Sequence, residues 1–254
     1  MNIVVIGGHG LVGRQVAALL RNDGHNVTAA SRVTGVDIVT GAGLDDVLAG
    51  AHVVVDASNA EPPYGEPSYA FFTTGARHLL DAEQRAGVKH HVSISVVGTD
   101  RLESSPYFRG KAHAEAMIRA SGVPYTILHA THFYEFLLAI VEAAIADQVL
   151  RLSPALIQPV ASSDVAEAMA AIAVGEPFNA TLELAGPERE RMSDLVRRFV
   201  GDMESPFDVV TDPGAPYFGA LLDDGSLVPR AEARCCTMPF NTWLRRSEYA
   251  RANW

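Results

Sequence analysis

The 254-residue sequence predicts an α/β fold, a doubly wound parallel sheet with helices on both faces. Three observations carry that prediction. Apolar strands alternate with amphipathic helical stretches through the first half of the chain, stop residues stand where each element must end, and the first strand runs directly into a glycine-dense turn.

Asn2-Ile3-Val4-Val5-Ile6 reads as a strand over 2–6, a short apolar run bounded by glycine. Gly7-Gly8-His9-Gly10-Leu11-Val12-Gly13 then turns the chain into a helix over about 11–22, which Asn22-Asp23-Gly24 closes. A strand over 26–30, a helix over 43–49, a strand over 52–57 and a long helix over 67–86 follow, the last stopped at Ala86-Gly87. Strand 89–95, helix 110–120 and strand 124–129 complete the alternation, with Ser121-Gly122-Val123-Pro124 ending that helix. Beyond Phe133 the pattern loosens into a helix around 134–146, a Gln158-Pro159-Val160 turn, a helix from about Asp164 to Val174 and a strand from Thr181 to Leu184. From Pro187 to Trp254 only a helix near 192–200 and a strand-like Phe207 to Val210 stand out among Pro- and Gly-rich connections. The expected organisation is a nucleotide-binding core over 1–186, with a substrate-lobe excursion around 133–160, and a small C-terminal substrate lobe or tail over 187–254.

With 20 Lys+Arg against 30 Asp+Glu the formal net charge is -10, which leaves no basic footprint for nucleic acid or an anionic membrane and points to a small-molecule substrate. No basic leader precedes the first apolar run and no apolar stretch reaches bilayer-spanning length, so a cytoplasmic location is expected. Cys235 and Cys236 are adjacent, a poor disulfide geometry without the spaced pairs of a zinc site; they are read as reduced thiols with no assigned role, and no metal site is expected. Monomer and dimer both remain open.

A strand, closely spaced glycines and a helix let the backbone approach a pyrophosphate and aim unpaired helix amides at it. Two spacings are readable, Gly7-x-x-Gly10-x-x-Gly13 and Gly8-x-Gly10-x-x-Gly13; the first fits better, because the turn begins where the strand ends. Residues Gly7, Gly8, His9, Gly10, Leu11, Val12 and Gly13 are therefore the expected dinucleotide cradle. At the end of the second strand, where an acid would bind the ribose hydroxyls of NAD, stand Ser31-Arg32; a guanidinium complements a 2′-phosphate, so NADP(H) is favoured over NAD(H). Asp37 is too far along the loop for the ribose and is placed at the adenine edge. Tyr107 and Lys111 stand four apart at the start of a helix, on one face, where an ammonium would lower the phenol's pKa toward useful acid/base chemistry. The chain's other lysine is Lys89.

The order of Gly7-x-x-Gly10-x-x-Gly13, Ser31-Arg32, Asp56-Ala57-Ser58-Asn59, Ser93-Ile94-Ser95 and Tyr107-x-x-x-Lys111 resembles that of short-chain dehydrogenase/reductases. Tyr107-Phe108-Arg109-Gly110-Lys111, Ala114-Glu115 and Ser121-Gly122-Val123-Pro124-Tyr125-Thr126-Ile127-Leu128 look like the atypical, NmrA-like NAD(P)-binding branch, over about residues 1–186. The resemblance implies a Rossmann-like fold, cofactor contacts at Ala57, Ser58 and Asn59, a serine that polarises the substrate carbonyl, Tyr107 exchanging the proton and Lys111 holding the ribose. Ser95 is assigned as that serine, with Ser93 and Thr99 as candidates and Val96 as another alignment of the position. Leu128-His129-Ala130-Thr131 departs from the pattern. His132, Phe133 and Phe136 are expected to line the substrate pocket, and His129 to be a satisfied buried histidine. The implied activity is NADPH-dependent reduction of a small carbonyl, quinone or conjugated substrate. The alternatives are a non-catalytic NADP-binding sensor and a nucleotide-retaining epimerase or dehydratase.

Overall fold

A computed structural model of the chain describes residues 1–61, 63–146, 149–203, 207–230 and 233–249. Its first half follows the predicted alternation: β1 (Asn2–Ile6), α1 (Leu11–Asn22), β2 (Asn26–Ala30), α2 (Leu44–Leu48), β3 (Val53–Asp56), α3 (Glu66–Ala86), β4 (His90–Val96), α4 (Pro106–Ala120) and β5 (Tyr125–Ala130). Next come α5 (Leu137–Ala144), β6 (Ile145–Ala146), β7 (Val149–Leu152), β8 (Leu156–Ile157), α6 (Ser162–Val174) and β9 (Ala180–Ala185). The chain continues through β10 (Glu190–Arg191), α7 (Met192–Asp202), β11 (Asp208–Thr211), β12 (Arg234–Cys235) and α8 (Phe240–Arg246). Seven strands form the main sheet in the order β12-β9-β5-β4-β3-β1-β2, the Rossmann-like arrangement expected. β1 pairs in parallel with both β2 and β3, so the direction of winding switches at its edge.

Stop signals work as the sequence implies. Gly24, Gly87 and Gly122 take left-handed φ values of 82°, 71° and 77° just past α1, α3 and α4. Helix α4 starts four residues earlier than expected, because Pro106 in its first turn is pre-set for helical φ.

The chain divides into two compact units, one of residues 1–129 with 163–182, the other of 130–162 with 183–254. In the first, Val4, Ile6, Leu48, Val54 and Leu79 form a core between sheet and helices, and Leu80, Ile118 and Ile127 a second cluster. Fully burying such a side chain is worth about 1.5–3 kcal/mol.

The second unit differs most from expectation. The helix expected over 134–146 is a 3-10 turn at Tyr134–Phe136 followed by α5, and the chain then goes extended, Ile145 pairing with Leu150. β7 pairs in parallel with β11, and β8 antiparallel with β10. The Gln158-Pro159-Val160 segment is tied on both sides: Val160 N donates to His132 O at 2.8 Å and Gln158 Nε2 to Gly186 O at 2.7 Å. Tyr134 packs its ring against Phe240 and Trp243. Phe218 adopts φ 43°, rare for a bulky side chain, in the tight turn between Tyr217 and Ala220.

Candidate active site

The glycine turn leaves β1 at Gly7, whose φ of 71° and close packing exclude a side chain: a Cβ there would lie 2.6 Å from Ala57 O. A Cβ on Gly13 would lie 2.2 Å from Gly7 O, so this glycine lets α1 close onto the turn, and one on Gly8 would meet Ala29 Cα at 2.8 Å. Gly10 differs, since its nearest contact would be 3.2 Å, and it is the extended N-cap of α1 with no side chain capping the first-turn amides. The protein's own packing explains three glycines. The fourth leaves bare backbone and orphan amides together, which is what a phosphate cradle requires, so these residues fit a dinucleotide.

Ser31 Oγ and His9 Nδ1 stand 2.9 Å apart and join the turn to the end of β2. Arg32 is exposed, and its guanidinium has no hydrogen-bond or ion-pair partner among the described residues. Asp37 Oδ1 accepts from Val39 N at 2.8 Å and braces its own turn. Beyond β3, Ala57 N donates to Ile6 O and Ser58 N to Asp56 Oδ1, which fixes the Ala57-Ser58-Asn59 segment beside the glycine turn.

Tyr107, in the first turn of α4, donates its hydroxyl to Asn59 Oδ1 at 3.0 Å. Its ring meets Phe72 and Phe108 edge-on at 5.2 and 5.6 Å. Lys111, one turn on, is buried; its Nζ donates to Ile94 O at 3.3 Å and lies 4.4 Å from the Phe72 ring centroid and 5.7 Å from that of Tyr107. Burial pulls the lysine down to about 8, against the charges of Asp56 and Glu115. The phenol behaves contrary to the sequence expectation: burial raises its pKa above the ordinary value of 10, only partly offset by the bond to Asn59. The ammonium lies over the Phe72 and Tyr107 rings, and its hydrogen bond goes to Ile94 O, whereas the phenol's goes to Asn59.

Ser95 lies elsewhere along the helix. Its Oγ donates to Glu115 Oε1 at 2.6 Å, two turns beyond Tyr107, and the same oxygen takes His129 Nε2 at 2.8 Å. Arg119 donates to Glu115 Oε2 at 2.9 Å. These bonds together outweigh burial and lower the pKa of Glu115. No hydrogen bond joins Ser95 to Tyr107. Ser93 and Thr99 are buried too. His129 is the satisfied buried histidine the sequence implied.

In the second unit His132 packs against Phe136 and Tyr217, with ring centroids 6.0 and 5.4 Å away, and burial lowers its pKa to about 4. Phe133 joins this region through its backbone bridge to Val160. Sequence reading missed Tyr217 and Phe218, which extend the aromatic group and sit in a tail without periodicity. It also missed Asp56 as a charge acting on Lys111 and the buried His91–Glu83 pair, although His91, Ser93 and Ser95 alternate on one face of β4. Among the described residues no group of three or more His, Cys, Asp or Glu is placed to hold a metal, and no helix is long and apolar enough to cross a membrane.

A family model described as NAD(P)H-binding matches residues 7–175. Among curated proteins, the Photosystem II assembly factor Ycf39 of Cyanophora paradoxa is 25% identical over 162 residues, covering 58% of this chain and 50% of that protein. Its counterpart from Synechocystis is 26% identical over 152 residues, 54% and 47% of the two chains. The chain thus spans about half the length of these curated relatives. Among solved structures, a short-chain dehydrogenase/reductase superfamily protein from Agrobacterium tumefaciens with bound NAD superposes with TM-score 0.71 at 19% identity, covering 99% of this chain and 97% of that one. The UDP-glucose 4-epimerase of Thermus thermophilus in complex with NAD gives 0.67 at 18% identity, over 87% and 88%. With the glycine turn, the sheet order and the family match in agreement, the chain belongs to the NAD(P)H-binding family, and it shares the fold of the short-chain dehydrogenase/reductase superfamily protein and the epimerase.

Proposed function

We propose that the chain is an NADPH-dependent reductase of a small carbonyl, quinone or conjugated compound. The observation that carries the proposal is the setting of Tyr107: its hydroxyl is held by Asn59, in the loop after β3, and Lys111 follows one helical turn later. β1 and β3 are the strands where winding switches, and ligands of doubly wound sheets bind outside the carboxyl ends of such a pair. When bound, the reduced dinucleotide supplies hydride. Tyr107 holds a proton at Oη; with its pKa raised by burial, it stays protonated through neutral pH and serves as an acid. Lys111 brings a buried positive charge beside the Tyr107 ring, one helical turn on, where it would bind the cofactor ribose, and its packing on Phe72 keeps it out of water. Ser95 braces Glu115 in this reading.

The preference for NADP(H) rests on the unpartnered Arg32 and on the absence of an acid in Ser31-Arg32. The acidic charge balance supports a small-molecule substrate. The test is NADPH oxidation over a panel of quinones and aldehydes. Tyr107→Phe is expected to lower turnover at least about a hundredfold with NADPH affinity retained; unaltered turnover refutes the assignment. A second reading, a non-catalytic NADP-binding sensor, draws support from curated relatives named as assembly factors. It requires NADPH binding with no oxidation by the parent protein.

A further inference from the structure

The chain's two cysteines stand side by side at the outer edge of the main sheet. Cys235 is the second residue of β12, opposite Ala185 of β9, and the next amide, Cys236 N, donates to Ala185 O at 2.8 Å. The strand is two residues long and has one neighbour in the sheet. Cys235 is exposed and Cys236 half-buried. The Gln158 amide reaches Cys235 Sγ, with Nε2 3.8 Å away, and Gln158 Oε1 takes Arg189 Nε at 3.2 Å. The same Nε2 donates to Gly186 O at 2.7 Å, just past β9. One side chain thus joins the sulfur to the Gln158-Pro159-Val160 segment, whose Val160 N binds His132 O, and all of these residues belong to the second unit. Successive side chains of a strand point to opposite faces, so the two sulfurs are held apart while β12 is paired.

We propose that Cys235 and Cys236 form a redox latch: a hydroperoxide closes them into a vicinal disulfide, and closure strips β12 from β9. The proposal is independent of the reductase reading. The thiol of Cys235, the more exposed of the two, attacks the terminal oxygen of the peroxide. The O–O bond breaks, the peroxide leaves as an alcohol carrying the Cys235 proton, and the sulfur becomes a sulfenic acid. The Cys236 sulfur then attacks that sulfur, the S–S bond forms, and the hydroxyl leaves as water with the Cys236 proton. Two electrons have passed from the pair to the peroxide, and a dithiol returns them. Geometry couples this chemistry to the fold. Adjacent Cα atoms lie about 3.8 Å apart, against roughly 4.4–6.8 Å in ordinary disulfides, so the bond does not form on extended backbone. The cysteines must leave the strand conformation, which breaks the bond from Cys236 N to Ala185 O and moves Cys235 Sγ away from Gln158. A two-residue edge strand yields more readily than an inner one. The ties beyond it, Tyr134 Oη donating to Met238 O and Phe240 N to Glu188 Oε2, keep the change local. Strained, exposed disulfides of this kind are the readily reduced, regulatory ones.

The test treats the full chain with hydrogen peroxide in the absence of cofactor. Both cysteines are expected to lose their thiol titre together, the Cys235-Cys236 stretch to become about 2 Da lighter with no oxygen gained, and dithiothreitol to reverse the change. Hydrogen exchange at the Cys236 amide should accelerate at least about tenfold in the oxidised chain, with exchange in β1 unmoved. In Cys236→Ser the sulfenic acid on Cys235 has no resolving thiol, and dimedone should trap it. Thiols that survive the peroxide, a disulfide between two chains, or a sulfinic acid in place of the vicinal bond overturns the proposal. So does an oxidised chain whose Cys236 amide exchanges as before. Should the variant not fold, the mass and exchange of the parent chain decide alone.

Discussion

Replacing Ser95 by alanine separates a bracing hydroxyl from a catalytic one, because the two roles leave different marks on stability and turnover. Ser95 is 6% exposed, and its Oγ gives its proton to Glu115 Oε1 at 2.6 Å. A hydrogen bond to a charged partner is worth about 1.5–3 kcal/mol. Glu115 keeps His129 and Arg119 after the change, and alanine fills most of the space, so the lower end applies: a loss of about 1.5 kcal/mol. At a urea slope of about 3 kcal/mol/M for a chain of this size, the midpoint falls by about 0.5 M.

The pH dependence has a definite sign. Glu115 has a folded pKa below its ordinary value of 4.5, so its stabilisation is fully present above that value and is lost as pH falls through the folded one. The deficit of Ser95→Ala should therefore be complete at pH 7 and shrink in acid. Turnover should stay within about threefold of the parent, whereas a serine that polarises a carbonyl would cost about a hundredfold to a thousandfold in kcat. A hundredfold loss of kcat with an unmoved urea midpoint would refute the bracing role.

Gly10→Ala is expected to leave stability within about 1 kcal/mol, since its Cβ meets only Gly7 O at 3.2 Å, yet to abolish calorimetric NADPH binding; retained affinity would show that the cradle lies elsewhere. Arg32→Glu should reverse cofactor preference, weakening NADPH about tenfold or more relative to NADH, and equal dissociation constants for both in the parent would contradict the assignment. Asp56→Asn removes the largest charge holding Lys111 up from its burial shift, so the lysine should titrate below its parent value of about 8 and lose its charge at lower pH. With only Lys89 and Lys111 in the chain, carbon-13 lysine NMR resolves the titration directly, and an unmoved Lys111 signal would disprove the coupling.

The first unit was legible because its signals are local. Continuous apolar strands, stop glycines at 24, 87 and 122 and the glycine turn each act within a few residues, and the elements fall within a few residues of their expected bounds. In the second unit the strands are two to four residues long and some pair across great chain distances, as Val149 does with Asp208, so neither periodicity nor a turn marks them. The site divides the same way. Spacing placed Tyr107 and Lys111 on one face, and the glycine motif placed the phosphate turn. Partners did not follow from spacing: Asn59 meets Tyr107 across 48 residues, and Ser95 meets Glu115 across 20. Glu115 nevertheless carried a readable sign, four residues past Lys111 on the same helical stripe. The electrostatic expectation for Tyr107 failed on burial, which raises its pKa, because spacing along a helix does not say how deeply a phenol is buried.

Stability alone does not account for the charged interior of the first unit. Asp56, His91, Lys111 and Glu115 line one small cavity, Glu83 pairs with His91, and all but Asp56 are less than 9% exposed. Replacing buried ion pairs with apolar side chains of similar size is often neutral or stabilising by about 1–4 kcal/mol. Leu80 and Ile118 already line the same space, so the local packing accepts hydrocarbon there. What an apolar replacement cannot supply is a cation whose protonation changes near neutral pH, which burial against Phe72 and the opposing pull of Asp56 and Glu115 together produce at Lys111. The lysine's two neighbours along α4 divide the remaining work. Tyr107 faces Asn59 and the loop after β3, whereas Glu115 faces Ser95 and His129 and fixes the helix against the sheet. Two turns of one helix thus carry both contacts, so the bonds of Glu115 and that of Tyr107 share a single rigid element.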